Sequence, residues 1–179
     1  MLTWNKRSLD VKSLLNPAFC GEVIRRCIWN YKISSGKSMP YSIVYFILPL
    51  VLHNKTNVSM GSYKEIGFFV WLQNNEHLLV DFGARTRRMI PITKEAILFL
   101  LKQETLKIDE TQNLLIENYE LPNKDIVETQ NLLMDDHQPV NKNVDGYTDK
   151  YFIKAELLGN WFGRAGTPVT IYSALGVSP

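Results

Sequence analysis

Apolar residues fall three and four apart through Phe19, Val23, Ile24, Cys27, Ile28 and Tyr31, and Asn16-Pro17 stands before them as an N-cap and first helical residue. The spacing predicts an amphipathic helix of about four turns. Ser34-Ser-Gly-Lys-Ser38 breaks the pattern, and Pro40 then opens a run apolar enough to predict a buried helix to about His53, kinked or briefly broken at Pro49. Asn54 to Gly61 reads as a polar loop. Ser62 as N-cap with Glu65 three residues on forms a capping box ahead of Ile66, Phe69, Val70 and Leu72. A further helical stretch carries Leu78, Leu79, Phe82, Ala84 and Met89 up to Pro91, its pattern weakened by Gly83. Thr93 then caps the clearest helix, striped by Ala96, Ile97, Leu100 and Leu101, with Glu95 in the first turn where the helix dipole favours a carboxylate.

Beyond that helix the period changes from about 3.6 to 2. Leu106 to Asp109 and Leu114 to Tyr119 read as two short strands around a polar turn, although a helix over 108–118 fits the same residues. Helices followed by a hairpin give a mainly α fold with a small β-hairpin, and their order also fits a winged-helix-like unit. Ile108-Asp-Glu-Thr-Gln-Asn-Leu-Leu-Ile-Glu-Asn118 is echoed eighteen residues on as Ile126 to Asp136, identical at seven of eleven positions. Two copies at so short a period cannot build a solenoid, which leaves a local duplication in a tolerant insert or a pair of equivalent surface strands. One domain over 1–179 is expected. It comprises a helix-plus-hairpin insert at 94–136, an exposed polar connector at 137–147 and C-terminal helices at 148–179 packed on the core. In the last of these, Phe152, Ala155, Leu157, Leu158, Trp161 and Phe162 form an aromatic-edged helix cut at Gly163-Arg-Ala-Gly166, and Thr167-Pro168 starts a final short one.

Composition adds that the chain can bury a core unaided, since 45% of its 179 residues are apolar and 21% charged. Cys20 and Cys27 sit seven apart on the first helix, about 10 Å of axial rise, beyond the roughly 7 Å that a disulfide tolerates. They are expected as core thiols in a reducing compartment. The most apolar stretch, Met39 to Leu52, is too short and proline-broken to span a bilayer. No leader pattern opens the chain, so a cytoplasmic protein without a membrane partner is expected. Net charge is +2, yet residues 1–92 sum to +7 and residues 93–179 to −5, a dipole suited to a subunit with one basic and one acidic contact.

Candidate chemistry is thin. His53, His77 and His137 are isolated, no zinc spacing exists, Asp135 and Asp136 are adjacent and so diverge in an extended segment, and Gly36-Lys-Ser38 lacks the glycine-rich turn of a phosphate loop. Catalytic, metal and cofactor residues are therefore expected to be absent, and no small-molecule substrate is implied. The strongest polar signal is Arg85, Arg87 and Arg88, with Arg25 and Arg26 as a second basic pair. Such runs are most often solvated helix surface. As functional residues they would be contacts for a protein partner or for DNA, Arg85 and Arg88 sharing one helix face.

Several motifs in order resemble a known family. They are Asn16-Pro-Ala-Phe19, Met39-Pro with Ile47-Leu-Pro-Leu-Val-Leu-His53, Phe82-Gly-Ala-Arg85, Thr93-Lys-Glu-Ala-Ile97, Leu158-Gly-Asn-Trp-Phe162 and Thr170 to Val177. Together they resemble the middle component of bacterial three-component ABC systems, which includes the small subunit of Lamassu-type anti-phage complexes. The resemblance implies an ABC-type, SMC-like ATPase with long coiled coils as one partner and an effector, often a nuclease, as the other. DNA would be met through the assembled complex, and the small subunit itself would be non-catalytic. The alternative is a winged-helix-like DNA-binding module, which needs Arg85, Arg87 and Arg88 on an open groove.

Overall fold

The first helix begins where the sequence places it: Asn16 Oδ1 accepts the Ala18 amide at 2.9 Å and Pro17 takes the position whose missing N–H costs nothing. The computed structural model describes residues 15–61, 67–117 and 143–177, with side chains of 143–148 excepted. Helix α1 (Pro17–Ser35) ends at Gly36, whose φ of 69° suits glycine and whose amide closes on the Lys32 carbonyl. Its stripe of Cys20, Val23, Ile24, Cys27, Ile28 and Tyr31 is buried.

Two long helices cover α1 on either side. One is α6 (Asn143–Arg164), which approaches so closely that a Cβ at Gly159 would collide with the Cys27 carbonyl and one at Gly163 with the Ser34 hydroxyl. The two glycines are four apart and share a face, and the helix ends at Arg164 with Gly166 at a φ of 93°, so the break expected at Gly163-Arg-Ala-Gly166 is present. The other is α5 (Phe82–Lys102), whose Leu100 lies against Gly21.

Helix α5 replaces two predicted segments. Pro91 lies inside it on an exposed position, and Thr93 bonds the Met89 carbonyl at 3.0 Å instead of capping a new start. The buried face of Phe82, Thr86, Thr93, Ala96, Ile97 and Leu100 runs past the proline on both sides, and its burial outweighs the lost hydrogen bond.

The segment predicted as one apolar helix is also divided. Met39–Pro40 is a strand, β1, followed by a 3-10 turn over Tyr41–Phe46 and a short helix α2 (Ile47–Val51). Pro40 is tolerated because β1 lies at a sheet edge. Asn54–Met60, expected as a loop, is helix α3, because Asn57 turns inward to donate to the Val51 carbonyl at 2.9 Å and Thr56 and Met60 are buried with it. The capping box at 62–65 lies outside the described residues. Helix α4 (Phe68–Asn74) starts after Gly67 and buries Phe68, Trp71 and Leu72, leaving Phe69 and Val70 outward.

The hairpin forms as β2 (Lys107–Ile108) and β3 (Asn113–Leu115), and β3 also pairs with β1, giving an antiparallel sheet of order β1-β3-β2. Met39 faces Leu114 on one side of β3, and Lys107 faces Leu115 on the other. Asp109 builds the turn by accepting the Thr111 amide and hydroxyl and the Asn113 amide at 2.6–2.9 Å. The second copy of the echoed segment lies outside the described residues. So does the connector as far as residue 142, and from Asn143 the backbone is helical. A final helix, α7 (Pro168–Ala174), is capped by Thr167 and seats Tyr172 edge-on against Phe46. The molecule is thus mainly helical with one small sheet.

Candidate partner-docking surfaces

Five arginines were legible as candidates, and the fold treats them differently. Arg25 and Arg26 both bond Glu22, at 2.7 Å each, and Arg26 reaches across to Glu156 of α6 at 2.7 Å while stacking 4.4 Å over the Phe152 ring. Arg26 thus clamps α1 to α6, and Arg25 joins it through Glu22 on α1.

The cluster on the first turns of α5 divides as well. Arg85 folds back to donate to the Leu78 carbonyl at 3.2 Å and lies 5.3 Å over the Phe82 ring. Burial, then the charge of Arg88, lowers its proton affinity, while Asp81 works the other way. Arg87 and Arg88 are exposed. Burial, then the charges of Arg85 and Lys55, hold the His53 imidazole at the α2–α3 junction below its usual pKa. Sequence reading missed the influence of Arg85 on His53 because the two are brought within range only on folding.

A second surface has no counterpart in the sequence reading. Between α4 and α6 runs an open trough of about 870 Å³, lined by Phe68, Phe69, Val70, Ile153, Leu157 and Trp161, with Lys154 and Arg164 also on its lining. Its base is an aromatic cluster in which Phe68 meets Phe162 edge-on at 5.2 Å and Trp71 lies 5.6 Å from Trp161. The two indoles differ. Trp71 Nε1 donates to Ser59 Oγ at 2.9 Å, whereas Trp161 Nε1 is buried with no acceptor among the described residues. Leaving such a donor unpaired costs about 1–3 kcal/mol. The signal available in the sequence was the adjacency of Phe69 and Val70 beside the buried Phe68.

The thiols are inert by position. Burial, with the charge of Glu95 second, pushes Cys20 up to about 12, and burial alone raises Cys27 further. Among the described residues no three His, Cys, Asp or Glu gather as a metal site, and no helix is long and apolar enough to cross a membrane.

Residues 4–179 match the family model of the ABC-three component (ABC-3C) system Middle Component 3. The chain belongs to that family. No curated protein and no solved structure matches it. For a middle component of a three-component system, exposed basic and apolar surfaces on one rigid helical body are the features of interest. This middle component carries two, the α5 cluster and the α4–α6 trough.

Proposed function

We propose that this middle component is a non-catalytic subunit that bridges an SMC-like, coiled-coil ABC ATPase and an effector, often a nuclease, in an anti-phage defence complex of the Lamassu type. The observation that carries the reading is the family match over nearly the whole chain, because membership as a middle component of a three-component system supports a role alongside other components. The inert thiols and the internally paired Arg25 and Arg26 are in keeping with a subunit that works by contact.

Arg87 and Arg88 are the exposed members of the α5 cluster and serve as contacts to an acidic partner surface. Arg85 supports them from below and is unsuited to mutational tests of docking, since it packs on its own backbone. Co-purification of the three components from their operon, with the mass of the intact assembly, tests the bridging role. In the same assay Arg87→Glu with Arg88→Glu should slow association several-fold and weaken its salt dependence, as exposed interfacial charges act mainly on the on-rate. Unchanged assembly with loss of DNA binding by the complex would instead favour the DNA-binding module, for which the arginines at the start of α5 would meet phosphates.

A further inference from the structure

We propose that the first turns of α5, residues 82–90, form a hinged arm that opens about Pro91 separately from the rest of the helix and is held closed when Arg87 and Arg88 meet their partner. This deepens the reading above, on which it rests for the role of the two arginines.

The arm is weakly held. Before Pro91 the helix buries only Phe82 and Thr86, whereas after it Ile92, Thr93, Ala96, Ile97 and Leu100 are buried, with Leu100 against Gly21 of α1. A segment with few buried apolar contacts is the first to open under native conditions. Two polar atoms inside the arm go unanswered. Arg85 Nε and Thr86 Oγ1 are buried with no hydrogen-bond partner among the described residues, so folding the arm down removes their hydration and replaces it with nothing. The start is strained as well, since Asp81 precedes the arm at a φ of 58°, in the left-handed region, and its side chain does not cap the helix. Arg85 and Arg88, three apart on one face, also repel each other.

The hinge is as well marked as the arm. Pro91 has no N–H to give the Arg87 carbonyl, and two residues on Thr93 Oγ1 bonds the Met89 carbonyl at 3.0 Å, the kind of back-bonding that bends helices. Both faults fall in one turn, where the weakly buried half of α5 meets the strongly buried one. Opening there relieves the strain and hydrates both orphaned atoms, against the exposure of Phe82. An acidic partner surface that meets Arg87 and Arg88 in the closed arrangement shifts the population towards it.

The test is amide hydrogen exchange of the full chain under native conditions, alone and in the co-purified assembly. In the free chain the amides of residues 85–90 should be protected at least about tenfold less than those of 96–101. Ile97→Val, which weakens the strongly buried half, should speed exchange at 96–101 and leave 85–90 unchanged, because the arm opens without breaking that contact. Pro91→Ala restores the missing donor and should slow exchange at 85–90 several-fold, and Thr86→Val, which removes the unpaired hydroxyl at nearly constant shape, should act in the same direction. In the assembly the 85–90 amides should slow at least about tenfold further, and Arg87→Glu with Arg88→Glu should cancel that slowing. Equal protection of the two sets in the free chain, or unchanged exchange at 85–90 on assembly, overturns the proposal. If the double arginine variant still weakens assembly in that case, the docking role stands without the hinge, whereas a wild-type chain that joins neither component overturns both.

Discussion

Asp109 shows what one side chain can decide. The Thr111 hydroxyl, then the Asn113 amide, hold its carboxyl down at about 2, below the ordinary 3.8. A folded-state value below the unfolded one means that the turn is supported fully above about pH 4 and loses that support as pH falls through about 2. In an NMR titration the Thr111 and Asn113 amides should shift together with a midpoint near 2, and Asp109→Asn should abolish the titration while loosening the hairpin. Other residues divide by the range of their partners. The Cys20–Tyr31 stripe was legible because helix period alone sets which face is buried. The Glu22 pairing of Arg25 and Arg26 was legible in principle, being three and four residues away. Glu156 was not, since its link to Arg26 spans the chain from α1 to α6.

At the scale of elements, the α1–α6 contact depends on the missing side chains of Gly159 and Gly163. Gly159→Ala would force the methyl into the Cys27 carbonyl, so a loss of about 1–3 kcal/mol is expected from urea unfolding, at the upper end because backbone cannot step aside. Gly83→Ala meets open space on α5 and should instead stabilise by about 0.5–1 kcal/mol, which separates the packing effect from helix propensity. The sequence announced α1 and α7 through their caps, because capping is local chemistry. It concealed α3, whose polar residues become helical by bonding α2, and it divided α5 at Pro91, where tertiary burial overrides a local breaker. The trough escaped notice for the same reason: no window of sequence contains both Val70 and Ile153.

Across the whole molecule, one cluster of buried residues runs from Cys20 to Leu175 and includes members of the major helices and the sheet. A single contiguous core predicts a single cooperative transition. Denaturation followed by tryptophan fluorescence, which reports all four tryptophans with Trp71 and Trp161 in the core, should therefore coincide with helix loss followed by circular dichroism. Separate midpoints would show that the hairpin or α7 unfolds independently. The mainly helical class with a hairpin was legible because it follows from periodicity, but the third strand was not. Met39 meets Leu114 only after the chain has laid down α2 to α5 between them. That delay has a kinetic meaning. Strands two or three residues long offer few bonds against the entropy of closing so large a loop, so β1 should zip onto β3 late, after the helices have brought its ends together. The sheet is then the closing stitch of folding, and the amides of Met39 and Leu114 report when the last step is complete.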